Sequence, residues 1–446
     1  MRHSAPPPPP PSHTSSALLL LVALVSATPA EASVLDLFGY GVAGASMANT
    51  RHTTAEGHEA VYYNPANLVD ATRPSFALGY QRADFWMRVN DERSDVLAAP
   101  SLVIGFGVPL PFGGWLQDRL ALGMGFILPQ TSILIADTPP PGELTWVLVG
   151  NRAQTVSIQA ALAARLHPRL SIGAGFVALS ELQGDIAIAP NAEGRLSSRV
   201  RDELVAAYSP VVGLRWRPLD ALLVALVYRD ASTAEYTLPI TADLGDSFPV
   251  PVPLLDIRGT AQYDPRALTL ELAWELGPLR TLAASASWRQ WSAFPVPIVF
   301  TAPPTGYPAQ PSPDFRDVVV LGLAAQGGWQ QGASWHIPRA GVTWHPTPTP
   351  EQTGLHNHLD GHRLITGAGW GWRQGALRIE TGLQWQWMLE RSATKQCVTT
   401  ADGRRVVDFG QGDAPTPPSN RSNPGCDGLR YSGHILYWGV ELGVEL

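Results

Sequence analysis

From Leu377 to Glu390 the chain alternates. Leu377, Ile379, Thr381, Leu383, Trp385, Trp387 and Leu389 share one parity, and Arg378, Glu380, Gly382, Gln384, Gln386, Met388 and Glu390 share the other. A period of two marks a β-strand whose faces meet different surroundings. The pattern returns in Leu268, Leu270, Leu272, Trp274 and Leu276 against Thr269, Glu271, Ala273 and Glu275. It returns again in Leu436, Trp438, Val440, Leu442, Val444 and Leu446 against Tyr437, Gly439, Glu441, Gly443 and Glu445. A half-wet soluble sheet would alternate too, but soluble strands cluster at about five or six residues. These runs reach roughly 11 to 16 residues, and a tilted strand needs roughly 9 to 11 to cross a bilayer. Trp86, Trp216, Trp288, Trp372 and Trp438 stand near run ends, where outer-membrane barrels carry aromatic girdles.

Reading every such run predicts about fourteen strands, starting near Pro74, Ala99, Arg119, Ala153, Arg169, Ala206, Asp220, Asp256, Leu279, Asp314, Trp335, Asp360, Ala376 and Tyr431. Short turns such as His167-Pro168, Pro218-Leu219, Gly277-Pro278 and Gln374-Gly375 follow even strands, and longer Pro/Gly/Asp segments follow odd ones. That is the rule of short periplasmic turns and long outer loops. The fold class is therefore an all-β membrane protein, a 14-stranded antiparallel outer-membrane β-barrel. Open sheets leave unpaired backbone in lipid, so the strands must close. The barrel is assigned to residues 74–446. Residues 33–73, rich in Gly and Ala, precede it and can form short helices. A lumen of this size is too wide for its own side chains to fill, so this segment is expected to be a helical hatch plugging it.

Composition sharpens the class. Charged residues make up 15% and hydrophobic ones 45%, with 42 Gly, 41 Pro and 15 Trp among 446 residues, a low charge for a soluble enzyme. The net charge of −7 includes no basic run able to neutralise a phosphate backbone, so no nucleic-acid partner is expected. Residues 1–32 read as a signal peptide: Arg2 and His3, an apolar run from Ala17 to Ala27, then Ala30-Glu31-Ala32. That run is about eleven residues, short of the roughly 20 of a spanning helix. Cys397 and Cys426 are the two cysteines. In an exported chain they are expected to form a disulfide, with two free thiols as the alternative.

Within the segment before the barrel stand Gly39-Tyr40-Gly41-Val42-Ala43-Gly44-Ala45-Ser46-Met47-Ala48 and Glu59-Ala60-Val61-Tyr62-Tyr63-Asn64-Pro65-Ala66-Asn67-Leu68. Further along come Val227-Tyr228-Arg229-Asp230, Tyr236-Thr237-Leu238-Pro239, Trp288-Arg289-Gln290-Trp291-Ser292-Ala293-Phe294, Phe315-Arg316-Asp317 and Pro338-Arg339-Ala340-Gly341-Val342. In this order the set resembles the FadL/TodX family of long-chain fatty acid and hydrocarbon transporters, over essentially the whole mature chain. The resemblance implies a hatch-closed barrel that takes up hydrophobic molecules from outside. It also implies sideways release through a gap in a distorted third strand, here Arg119 to Gln130 with Gly123, Gly125 and Pro129. The chain departs from the usual barrel pattern in ending on Leu446 rather than an aromatic residue.

Candidate site residues follow. Asn64, Pro65 and Ala66 can hold the hatch to the wall or touch ligand; the plainer reading is an Asn-Pro turn ending a helix. A fatty acid needs an apolar sleeve and a cation. Val34, Leu35, Leu37 and Phe38 are candidates for the sleeve, and Arg378 and Arg339 for the cation, although each arginine also fits a charge ladder in a wet lumen, Arg378 with Glu380 or Glu271 for example. His356, His358 and His362 around Asp360 call a metal to mind, but a solvated His-rich loop is the better reading, so no metal site is expected. No Gly-x-Ser-x-Gly elbow occurs and His434 falls on the lipid-facing parity, so no catalytic residues are expected.

The function expected from sequence is passive, ligand-gated uptake of long-chain fatty acids or other hydrophobic small molecules with lateral release, by a monomer in the outer membrane of a Gram-negative bacterium. Its partners are that substrate and outer-membrane lipid, and it needs no cofactor. A general porin for polar solutes and a structural or adhesive surface barrel are the alternatives.

Overall fold

The computed structural model describes residues 34–130, 143–149, 156–190, 196–242, 255–296, 298–300, 312–399, 403, 405–407 and 424–446. The signal peptide read at residues 1–32 lies outside them. Fourteen staves form the wall: β1 Ser75–Val89, β2 Ala99–Pro109, β3 Leu120–Pro129, β4 Ser157–His167, β5 Leu170–Pro190, β6 Leu196–Leu219 and β7, which runs as Leu222–Arg229 and Ser232–Ala242. The second half comprises β8 (Leu255–Asp264 and Arg266–Gly277), β9 Arg280–Gln290, β10 Val318–Gln326, β11 Ser334–His345, β12 Arg363–Gln374, β13 Leu377–Ala393 and β14 Leu429–Glu445. Each stave pairs antiparallel with the next, and β14 closes on β1 from Ser75↔Glu445 to Val89↔Tyr431. Closure removes both sheet edges, the condition for strands to cross a membrane.

Side chains obey the parity read from sequence. In β8, Leu268, Leu270, Leu272 and Trp274 are 43% to 48% exposed, while Glu271 and Ala273 are 0% exposed. The apolar face points out and the polar face into the lumen, the reverse of a soluble barrel, because the solvent outside is lipid. His434 lies outward, stacked between Trp86 and Trp385 at ring separations of 5.5 and 5.4 Å.

Staves begin within four residues of their predicted starts except β6, which starts at Leu196 rather than near Ala206. Its added length pairs with β5 up to Pro190↔Leu196. Ser197, Ser198, Arg199, Arg201, Asp202 and Glu203 put polar residues on both parities there, so hydrophobic alternation is silent. The third strand is not distorted over the described residues: β3 pairs without register shift with β2 and with β4. The wall is irregular elsewhere. The β6–β7 ladder ends at Val211↔Arg229, and beyond it the second segment of β7 runs parallel to β5, from Leu182↔Tyr236 to Ile188↔Ala242.

Inside lies the hatch, with helices α1 Val34–Phe38, α2 Val42–Ser46 and α3 Glu59–Tyr63 and a 3-10 turn, Pro65–Asp70. Gly39 and Gly41, with φ of 74° and 81°, break the chain between α1 and α2 in a region that suits glycine. The hatch sits in bays where the wall lacks side chains. Gly173 and Gly213 are register partners on β5 and β6, and a β-carbon on either would collide with Asn64, Pro65 or Ala66. Gly341 and Gly367, paired across β11 and β12, make room for the backbone around Met47 in the same way.

Candidate functional site

The lumen divides into a charged floor at the end of the short turns and an apolar chamber at the end of the long loops. The floor is where hatch meets wall. Asn64 caps the 3-10 turn: its Oδ1 accepts from Ala66 N–H at 3.1 Å, and its Nδ2 donates to the Leu214 carbonyl of β6 at 3.2 Å. With Pro65 at the first position of the turn, Asn64-Pro65-Ala66 is a clamp between hatch and wall. Opposite, Glu271 of β8 accepts from the backbone N–H of His52 at 2.9 Å and of Thr53 at 2.8 Å, and from Thr53 Oγ1 at 2.6 Å.

The two arginines expected to meet a ligand carboxylate are in this floor, and both are already matched. Arg339 pairs with Glu380, both buried. Arg378 lies 3.3 Å from Glu441 and 3.9 Å from Glu56 of the hatch. Arg51 pairs with Glu59 at 2.9 Å and His58 contacts Glu441 at 3.2 Å. Partial burial pushes the Glu56 carboxyl upward, but Arg373, Arg51 and Arg378 outweigh it and hold its pKa at about 2. The open space below, about 430 Å³, is bordered by Asp70, Arg215, Arg217, Glu275 and Arg373.

Leu35, Leu37 and Phe38 come together in the chamber above, with Val34 opening the same helix. Phe38 stacks on Tyr437 at 5.2 Å, and Leu37 and Phe38 pack with Phe85, Met87 and Trp146. Leu35 joins a second cluster with Tyr40, Tyr62, Ile127, Val177 and Leu179. Gln386 Nε2 donates to the Leu37 carbonyl at 2.8 Å, fixing α1 to β13. Between α1 and the wall lies a void of about 60 Å³, bordered by Leu35, Asp36, Tyr62, Val177, Arg229, Ser232 and Arg289. It has room for a few waters, not for a long chain.

The chamber is capped from the loop end. Trp146, Val147, Leu148 and Val149 are 0% to 5% exposed, and their segment is tied at Thr145, whose N–H donates to the Asn357 carbonyl at 2.9 Å and whose carbonyl accepts from Leu359 N–H at 2.7 Å. Val147 and Leu148 enter a cluster with Tyr263, Trp291, Phe294 and Phe315, in which Phe294 and Phe315 stack at 4.4 Å. His358 is wedged edge-on against both rings; burial, together with His356 and Lys395, holds its pKa well below the usual value. His362 instead accepts from Thr347 N–H at 3.2 Å and stacks on Trp344. Among the described residues no three metal-binding side chains converge. Cys397 and Cys426 are bonded, 29 residues apart.

Sequence reading missed Arg289, which pairs with Asp36 of α1, and Arg229, whose guanidinium lies 4.0 Å from the Tyr62 ring. It missed Glu271 as a hatch anchor and the cap at Trp146–Val149. The cap left one signal, a four-residue apolar run inside a loop and too short for a strand.

No curated protein matches the chain in sequence. Among solved structures, a FadL homologue of Pseudomonas aeruginosa superposes with a TM-score of 0.57 at 16% identity, covering 91% of this chain and 98% of that one. The toluene transporter TodX of Pseudomonas putida superposes at 0.51 and 15% identity over 92% and 99%, and the toluene transporter TbuX of Ralstonia pickettii at 0.50 and 14% over 93% and 100%. At these identities the likeness establishes the fold. The model of the outer membrane protein transport family (OMPP1/FadL/TodX) matches residues 22–411, and the chain therefore belongs to that family of outer-membrane transport proteins, which are channels and not enzymes.

Proposed function

We propose that the protein carries long apolar molecules, fatty acids or hydrocarbons, passively across the outer membrane, taking them in at the loop end and releasing them sideways into lipid. The observation that carries this reading is the division of the lumen. An apolar solute gains about 0.8 kcal/mol per methylene on leaving water, and the chamber around Leu35, Leu37 and Phe38 offers such surroundings. The floor does not: crossing it would strip ion pairs of their partners, at 3–5 kcal/mol or more for each buried charge left bare. The hatch is also clamped there at Asn64, Glu56, Glu271 and Arg51.

A sideways exit fits the wall above the hatch. Arg229 and Ser232 border the void beside α1 and flank the point where β7 parts from β6. The test is uptake of labelled oleate and of labelled toluene by cells with and without the gene, combined with conductance across planar bilayers. Faster uptake of either label with a silent bilayer is expected. Equal uptake would favour a surface anchor, and sustained current an open porin; either result overturns the proposal.

A further inference from the structure

On the inner face of β4, inside the apolar cluster, sits an amide with nothing to bind. Gln159 is 0% exposed, and neither its Oε1 nor its Nε2 has a hydrogen-bond partner among the described residues. Ser157, two residues away on the same face, is 4% exposed and its Oγ is likewise unpartnered. Side chains at i and i+2 of a strand point the same way, roughly 7 Å apart. Their register partners are Val177 and Leu179 on β5 and Gly125 and Ile127 on β3, none with a polar side chain to offer. The hydroxyls in the surrounding cluster are engaged elsewhere: Tyr40, over Gly125, donates to the Ile104 carbonyl at 2.9 Å, Tyr62 to the Leu35 carbonyl at 2.7 Å and Tyr63 to Asn49 Oδ1 at 3.3 Å.

A bare buried polar group costs about 1–3 kcal/mol, and leucine at position 159 would avoid that cost. Val177 also borders the void beside α1, together with Ser232, whose buried Oγ lacks a partner too. Val177, the register partner of Gln159, is thus shared between the surroundings of the amide and the border of that void.

We propose that Gln159 and Ser157 form a head-group subsite for an apolar chain ending in an uncharged group that both donates and accepts, such as a primary alcohol, an amide or a protonated acid. The amide N–H meets the acceptor of such a head and the amide carbonyl meets its donor. A carboxylate only accepts, so it would leave the Gln159 carbonyl facing negative charge. The nearby cations are engaged elsewhere, Arg289 by Asp36 and Arg229 by the Tyr62 carbonyl and ring. This subsite rests on the uptake reading above.

The test is equilibrium dialysis of the full protein in lipid nanodiscs against labelled decane, 1-decanol and decanoate at pH 8, with empty discs subtracted. We expect 1-decanol to bind about tenfold tighter than decane, the worth of one or two net hydrogen bonds. Gln159→Leu should erase that preference, leave decane binding unchanged and melt no lower than wild type; Ser157→Ala should weaken the preference about threefold. Equal binding of 1-decanol and decane by the wild type, or a preference that survives Gln159→Leu, overturns the subsite. So does tightest binding of decanoate that ignores the substitution, which would place a charged head on Arg229 or Arg289. If none of the three binds, the uptake reading itself fails.

Discussion

Replacing Glu271 with leucine should loosen the hatch while leaving the wall intact. The carboxylate is fully buried and receives the backbone N–H groups of His52 and Thr53 together with the Thr53 hydroxyl. Leucine removes the acceptor and leaves two backbone donors facing apolar surface. Hydrogen bonds to a charged acceptor are worth about 1.5–3 kcal/mol each, so the two backbone donors alone amount to about 3–6 kcal/mol. Removing a buried carboxylate also removes its own desolvation cost, which brings the net effect to the lower end, about 3 kcal/mol. Each 1.4 kcal/mol is tenfold in an equilibrium, so the open hatch should become about a hundred times more populated. Single-channel recording reads this directly: Glu271→Leu should raise the frequency of openings about a hundredfold, and Glu271→Gln, which keeps one acceptor oxygen, about tenfold. Glu275→Leu is the control, since Glu275 pairs with Arg217 of β6 rather than with the hatch. Openings as rare in Glu271→Leu as in wild type, or as frequent in the control, would refute the reasoning.

Arg339→Met should destabilise by about 3 kcal/mol because it leaves Glu380 buried with only the longer contact to Arg378, whereas Arg339→Met with Glu380→Met should recover most of that loss; thermal melts in detergent distinguish a structural pair from a ligand cation, for which the double variant would still lose binding. The depressed pKa of Glu56 means that its contribution is present above the ordinary value of 4.5 and fades as pH falls toward about 2. Because Glu56 is 40% exposed, water screens its ion pairs and the loss should be about 1 kcal/mol; hatch opening should rise across that window in wild type and show no such rise in Glu56→Gln, and identical profiles would count against the assignment. Reducing the bond between Cys397 and Cys426, or replacing both with serine, should free the last outer loop at a cost of about 3–4 kcal/mol in the chain-entropy picture. Faster proteolysis within residues 397–426, with the barrel core unchanged, is the expected result.

The sequence alone determined the wall. Alternation is local: each residue of β13 reports whether it faces lipid or lumen, and the same pattern fourteen times over implies a closed cylinder. The hatch was legible for a related reason, as a small-residue segment next to a lumen that has to be filled. What sequence could not decide is who meets whom inside. Arg378 reads either as a ligand cation or as part of a charge ladder with Glu380 or Glu271; Glu380 is indeed within 3.8 Å, but closure also sets it beside Glu441 of β14 and Glu56 of the hatch. Asn64 reads as a turn residue until its amide reaches Leu214, 150 residues away in the chain. Gln159 and Glu271 look alike in sequence, each an inward polar residue on an alternating strand, but the hatch loop reaches Glu271 and no described residue hydrogen-bonds the Gln159 amide. These outcomes depend on register, on cylinder closure and on the path of the hatch across the lumen. All three are set by contacts between distant segments, about which a period of two carries no information.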